Sequence, residues 1–199
     1  MKQLRIAPLV LAASLAVSSL AQATTYDADA SHSAIGFSVK HLMISTVRGN
    51  FADYTGSLVT PDGKEDFTKA KIEFNVKAAS INTMNAKRDE HLRSPEFFDT
   101  AKFPEAKFVG SKIVASGKDK YKLSGDMTIH GVTKPVTFDV TFTGKNKDPW
   151  GNDKIAFVAS TQINRKDFGL TWNKALETGG VVVGDEVKMD LEMEFTAKK

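Results

Sequence analysis

This sequence predicts an all-β fold of about eight one-sided strands, and three observations carry that prediction. Runs of alternating apolar and polar residues recur along the chain, and strand side chains alternate faces, so each run has one apolar face. The longest, Lys120–Gly144, reads as two facing arms: Tyr121, Leu123, Met127 and Ile129 share a parity in the first, and Val136, Phe138, Val140 and Phe142 in the second. Only one stretch, a short insertion around residues 84–99, is rich in helix formers. With so little helix to cover them, the apolar faces must close into an antiparallel barrel or pack as a sandwich.

Residues 1–23 read as a cleaved signal peptide. Lys2 and Arg5 precede the apolar run Ile6–Leu20, and Ala21-Gln22-Ala23 supplies a small-x-small cleavage pattern. A run of about 15 apolar residues is short for a membrane span, so the expected product is an exported chain without a membrane span. Removing 23 of the 199 residues leaves 176, enough for one domain, 24–199, with a sizeable core. It also removes two of the 27 basic residues, leaving 25 against 24 acidic, a balance that gives no reason to expect a nucleic-acid partner. The absence of cysteine excludes disulfides, thiol catalysis and thiolate metal sites.

Tyr26–Asp29 reads as a short first strand, and Ser33–Lys40 as a second with Ile35, Phe37 and Val39 on one face. His41–Thr46 breaks the alternation, Gly49 and Phe51 lead into the next arm, and Tyr54–Thr60 is stopped by the turn sequence Pro61-Asp62-Gly63. Lys71–Lys77 alternates through Ile72, Phe74 and Val76. In the insertion, Thr83 or Asn82 is the expected N-cap, Asp89 and Arg93 stand i, i+4, and Ser94-Pro95-Glu96 looks like a second cap. Ala106–Ala115 changes parity between Phe108 and Ile113, which predicts a bulge near Gly110. After the long hairpin, with its expected turn over His130–Pro135, comes a loop at Lys145–Asp153. Lys154–Ile163 then sets Ile155, Phe157, Ala159 and Ile163 on one side. The last run, Glu186–Phe195, alternates throughout, with Val187, Met189, Leu191, Met193 and Phe195 on one face.

Motifs for catalysis are missing: no G-x-S-x-G, P-loop, H-E-x-x-H or dinucleotide fingerprint occurs. His32, His41, His91 and His130 lack the i, i+4 or H-x-H spacing of a metal site. No metal and no cofactor are expected.

An ordered set of short motifs resembles the YceI-like family of bacterial periplasmic proteins. It runs from Ser31-His32-Ser33, Val39-Lys40-His41-Leu42 and Gly49-x-Phe51 through Ser80-Ile81-x-Thr83, Arg88-Asp89-x-His91-Leu92, Phe97-Phe98-Asp99 and Phe103-Pro104. Thr128-Ile129-His130-Gly131-Val132-Thr133, Asn164-Arg165-x-Asp167-Phe168-Gly169 and Asp185-Glu186-Val187 complete it. The resemblance implies a lipocalin-like, eight-stranded antiparallel barrel around a long apolar tunnel, in a periplasmic protein. It implies a bound isoprenoid as ligand (a polyprenyl phosphate-type lipid or an isoprenoid quinone), a homodimer, and transient contact with a membrane or membrane protein for cargo transfer.

Under that reading the tunnel wall comprises Phe37, Val39, Phe74, Leu123, Met127, Ile129, Phe138, Val140, Phe142, Phe157, Ile163, Val187, Met189 and Leu191, although a filled core would use the same residues. Arg88, His91, Phe97, Phe98 and Arg165 are the candidates for the tunnel mouth and headgroup. Arg165 has a second reading, in which it pairs with Asp167 or another carboxylate and pins its loop. A ten-residue strand tilted by about 40° gives a barrel roughly 25 Å tall, long enough for about five or six straight prenyl units. Non-catalytic lipid binding is the favoured function; an enzyme acting on an isoprenoid or lipid phosphate and a filled protein-interaction module are the alternatives.

Overall fold

The computed structural model describes residues 23–61, 66–177 and 179–198. The signal-peptide reading falls almost wholly, and the Pro61-Asp62-Gly63 turn in part, outside these residues. Among the described residues there are eleven strands: β1 (Thr24–Ala28), β2 (Ala34–His41), β3 (Ser45–Phe51), β4 (Tyr54–Thr60), β5 (Lys71–Lys77), β6 (Ile81–Asn82), β7 (Glu105–Gly117), β8 (Lys120–Ile129), β9 (Val132–Lys147), β10 (Asp153–Asn164) and β11 (Val183–Ala197). The one α-helix among the described residues, α1, spans Ala86–Arg93.

β1 pairs with both β4 and β11, which closes the ring β1-β4-β5-β7-β8-β9-β10-β11 into an eight-stranded antiparallel barrel. The other three strands lengthen its wall. β2 continues the line of β1 along β11, β3 precedes β4 in the next position, and β6 follows β5 beside β3. Three of the eight staves are thus broken, at 29–33, at 52–53 and at Ala78–Ser80. Ala28 lies opposite Phe195 and Ala34 opposite Glu192, so five residues bridge a gap that β11 crosses with two. The excess loops outward, and the Ser33 hydroxyl repairs the ladder by accepting from Glu194 N (2.8 Å) and donating to Glu194 O (3.2 Å).

The loop at the first break carries a charged knot. Lys154 Nζ donates to Asp29 Oδ2 (2.7 Å) and sits 3.0 Å from Glu194 Oε1, and His32 Nδ1 lies 3.0 Å from Asp29. Asp29, His32 and Glu194 group three metal-type ligand atoms, but the ammonium already occupies the place a cation would take. The Asp29 carboxyl is held well below the usual carboxylate range, first by the hydrogen bond from Lys154 and then by those from Ser31 and His32. A depressed folded-state pKa contributes stability that is full above the unfolded value, about 4, and is lost as pH falls through the folded value. Melting temperature is therefore expected to fall steeply below about pH 4. Asp29→Asn is expected to lower stability at neutral pH and flatten that acid slope, which calorimetry across the acid range checks.

Several local expectations need correction. The β8–β9 turn is two residues long, with His130 and Gly131 at φ 52° and 74°, the pattern of a type I′ hairpin turn. Pro135 lies inside β9 opposite Asp126; the β9–β10 ladder ends at Asp139, so its missing N–H breaks no pairing there. The parity change in β7 is the expected bulge, between Gly110 and Lys112. The cap of α1 is Asn85, whose side chain accepts from Arg88 N (3.0 Å). Asp89 faces away from Arg93: it is buried and accepts from Thr83 N and Oγ1 (2.9 and 2.5 Å), while Arg93 donates to Ala79 O and Ile81 O (both 2.7 Å). After Arg93 the insertion continues through Ser94–Phe98 as turns, with no second helix.

Candidate functional site: an apolar cavity inside the barrel

The inward faces enclose a cavity of about 220 Å³. A buried water needs only about 10–15 Å³ of such space, so this is a chamber and not a packing defect. β2 contributes Phe37 and Val39 to its lining, and β5 contributes Phe74. Leu123, Met127 and Ile129 come from β8, Phe138 and Val140 from β9, Phe157 and Ile163 from β10, and Val187, Met189 and Leu191 from β11. The deep wall is packed: Leu123, Met127, Ile129, Phe138 and Phe157 are all buried. Along β2 and β11 the inward side chains Phe37, Val39, Val187, Met189 and Leu191 are only half-buried, so the chamber lies against these two strands. Ala106 and Ala159 are the two alanines of the lining, and they leave space where their neighbours fill it. Gly49 does the opposite: a Cβ there would meet the Phe37 ring at 2.5 Å, so the glycine lets that ring lie flat on β3.

Phe142 is absent from the lining. The lower end of the barrel is stoppered by Phe67, which the periodicity did not single out because it stands alone in a turn region. It sits in a short 3-10 helix, Phe67–Lys69, capped by Asp66, and is 4 % exposed. Its ring packs on Phe157 (5.0 Å between centroids), Phe142 (5.1 Å) and Tyr121 (6.0 Å). Phe142 belongs to this plug, 5.3 Å from Phe157. Ile35, Leu58, Phe108 and Phe195 are further buried wall residues that the sequence reading did not place there.

The upper end is covered by the insertion and by the segment joining β10 to β11. Phe97 and Phe98 reach the lining, as does Leu92 of α1. His91 does not; its Nε2 lies 2.6 Å from Glu96 Oε2, and its ring meets Phe97 and Trp172 edge-on at 5.1 and 4.9 Å. These contacts tie α1 to the 171–172 segment above the chamber. Arg88 is also outside the lining, held to Thr83 Oγ1 (2.7 Å) and Thr83 O (2.9 Å).

Arg165 reaches the lining but offers it no donor. Nε donates to Gly184 O (2.9 Å), Nη1 to Leu170 O and Trp172 O (2.9 Å), and Nη2 to Val183 O (3.5 Å) and Asp185 Oδ1 (3.3 Å). A guanidinium has five N–H groups, and all five are engaged by the protein. The carboxylate partner is Asp185 and not Asp167. Arg165 therefore pins its loop, the second of the two readings weighed for it, and has no hydrogen left for a headgroup. What the site offers chemically is a lining of mostly apolar side chains in which Arg165 has no free donor.

A family model described as the YceI-like domain matches residues 26–195. A UPF0312 protein of Pseudomonas putida strain W619 is 39 % identical over 166 residues, covering 82 % of this chain and 85 % of the relative. Among solved structures, the Campylobacter jejuni YceI protein superposes with a TM-score of 0.68 at 34 % identity, covering 80 % of this chain and 90 % of that one. A polyisoprenoid-binding domain from Saccharophagus degradans, implicated in plant cell wall breakdown, superposes with a TM-score of 0.64 over 87 % of this chain and 98 % of that one; at 16 % identity it shares the fold.

Proposed function

The chain belongs to the YceI-like family, and from that premise we propose that it is a non-catalytic periplasmic carrier that holds an isoprenoid lipid in the barrel chamber. The observation that carries the reading is the chamber itself: a hollow interior walled by apolar side chains, with its one buried guanidinium fully occupied by the protein. Such a wall takes a hydrocarbon chain; of its two charged residues, Arg165 is spent on the protein and Lys107 is exposed and paired with Glu105 at 3.5 Å. At about 25 cal/mol per Å² of apolar surface, a prenyl tail supplies ample binding free energy by burial alone. A polyprenyl phosphate-type lipid and an isoprenoid quinone both fit this description, and the tail is the shared recognition element. The polyisoprenoid-binding neighbour supports the choice of tail.

Organic extraction of the purified protein followed by mass spectrometry tests this. An isoprenoid is expected in the extract, at a stoichiometry approaching one per barrel. Ala159→Phe is expected to keep the fold, because it fills open space in the lining and brings no polar group with it. The same variant is expected to lower the extracted lipid by about tenfold or more, equivalent to about 1.4 kcal/mol. A wild-type extract free of lipid, together with no uptake of added prenyl lipid, would refute the carrier function.

A further inference from the structure

We propose that the β2–β3 turn at the upper end of the barrel is a membrane-contact tip, built to rest on an anionic lipid bilayer; this rests on the carrier reading and names the partner with which cargo is exchanged. The turn, Leu42–Ile44, leaves Met43 58 % and Ile44 84 % exposed. Met84, on the turn that follows β6 beside β3, is 89 % exposed. Among the described residues, these are three of the four most exposed large apolar side chains. The fourth, Trp150, belongs to the β9–β10 hairpin at the opposite end.

Charge indicates what this tip faces. From Ser33 to Ala52 the chain carries Lys40, His41 and Arg48 and not one Asp or Glu. Lys40 and Arg48 are exposed on the outer face of the hairpin, and neither makes an ion pair with a described residue. The acids on the neighbouring strand are engaged elsewhere: Asp190 pairs with Lys188 at 2.7 Å, and Glu186 accepts from Gln162 at 3.0 Å. An apolar tip flanked by unpaired basic side chains suits a surface of anionic headgroups over hydrocarbon.

Position indicates why. Leu42 N donates to Val182 O (2.8 Å), which ties the turn to the start of β11. Val39 and Val183, each within three residues of that bond, already line the chamber. The tip thus adjoins the rim of the chamber, from which Val39 and Val183 lead on to Val187 and Met189. A prenyl chain entering at that rim would have a short way to travel from the bilayer. The backbone is strained to present this tip: Leu42 and Met43 both take positive φ, 51° and 62°, where L residues are disfavoured.

Flotation of the purified protein with phosphatidylcholine vesicles, with and without phosphatidylglycerol, tests the proposal. Binding is expected to favour the anionic vesicles and to weaken with salt. Ile44→Asp combined with Met84→Asp is expected to lower partitioning by about tenfold or more. Lys40→Gln combined with Arg48→Gln is expected to remove the preference for phosphatidylglycerol, a loss of about 25-fold at about fivefold per basic residue. All four positions are exposed, so melting temperature and co-purified lipid, read on the same preparations, are expected to be unchanged. Aspartate variants that float like the wild type would overturn the proposal. So would a wild type that retains its lipid yet floats with neither vesicle, which would give the tip to a protein acceptor. A protein that floats as described but carries no lipid would support the tip and overturn the carrier reading.

Discussion

Arg165→Met is expected to destabilise the protein by about 3–5 kcal/mol, the cost of removing one partner from a buried charged network. The methionine keeps the apolar stem and removes all five donors. Four backbone carbonyls, of Leu170, Trp172, Val183 and Gly184, would then be left without this partner, together with the Asp185 carboxylate. Val183 O keeps a second donor, Asn173 Nδ2 at 2.7 Å; a buried carbonyl left unsatisfied, as Leu170 O would be, costs about 1–3 kcal/mol. Asp185 adds less, because it is 35 % exposed and keeps its ion pair to Lys166 at 2.8 Å. Burial lowers the Arg165 pKa and Asp185 opposes the shift, but a guanidinium starts high enough to stay charged. Arg165→Lys is expected to recover only part of the loss, since three donors cannot reach five acceptors.

The same change has an optical consequence. Arg165 holds residues 170–172 against 183–185, and Trp172 is the aromatic lid over His91 and Phe97. The protein has two tryptophans, and Trp150 is already 80 % exposed. A red shift of native-state emission in Arg165→Met would therefore report release of Trp172. Chemical denaturation gives the stability and fluorescence gives the lid. A variant within about 0.5 kcal/mol of wild type, the range of ordinary surface substitutions, would show that Arg165 is not the pin described.

Strand identity was legible where the period of two was unbroken, as in β11 and in the β8–β9 hairpin. The barrel's closure was not, because it depends on pairs such as Ala28 with Phe195 and Ala34 with Glu192, which alternation cannot align. The three stave breaks were hidden for the same reason, since a break in a stave and a turn between strands look alike in sequence. Proline misled at residue 135, where a ladder ending at Asp139 makes its missing donor harmless. The carboxylate partner of Arg165 was illegible: Asp167 is two residues away and Asp185 twenty, and only the fold brings the second one near. Whether the interior is hollow or filled was equally open. The same apolar rows serve both outcomes, and the difference lies in small lining residues such as Ala106 and Ala159.

Phe67→Ala is expected to destabilise by about 3 kcal/mol and to change which lipids the barrel retains. Truncating a fully buried Phe costs about 3–5 kcal/mol; the lower end applies because one side of this ring already faces the chamber. Three aromatic rings lose their common partner at once, and Tyr121, Phe142 and Phe157 cannot close the gap without shifting β8, β9 and β10 together. The one hint to this role in the sequence is that Phe67 is the sole large apolar residue between Pro61 and Lys69. Its ring sets the floor of the chamber, so its removal lengthens the cavity at the end remote from α1. The extracted lipids are therefore expected to shift towards longer prenyl chains, by about one or two units at about 4–5 Å each. Phe67→Leu separates the two effects, since it keeps most of the buried area and restores stability while leaving the floor lower than wild type. Mass spectra showing identical tail lengths in wild type, Phe67→Ala and Phe67→Leu would mean that the floor of the chamber does not measure the lipid.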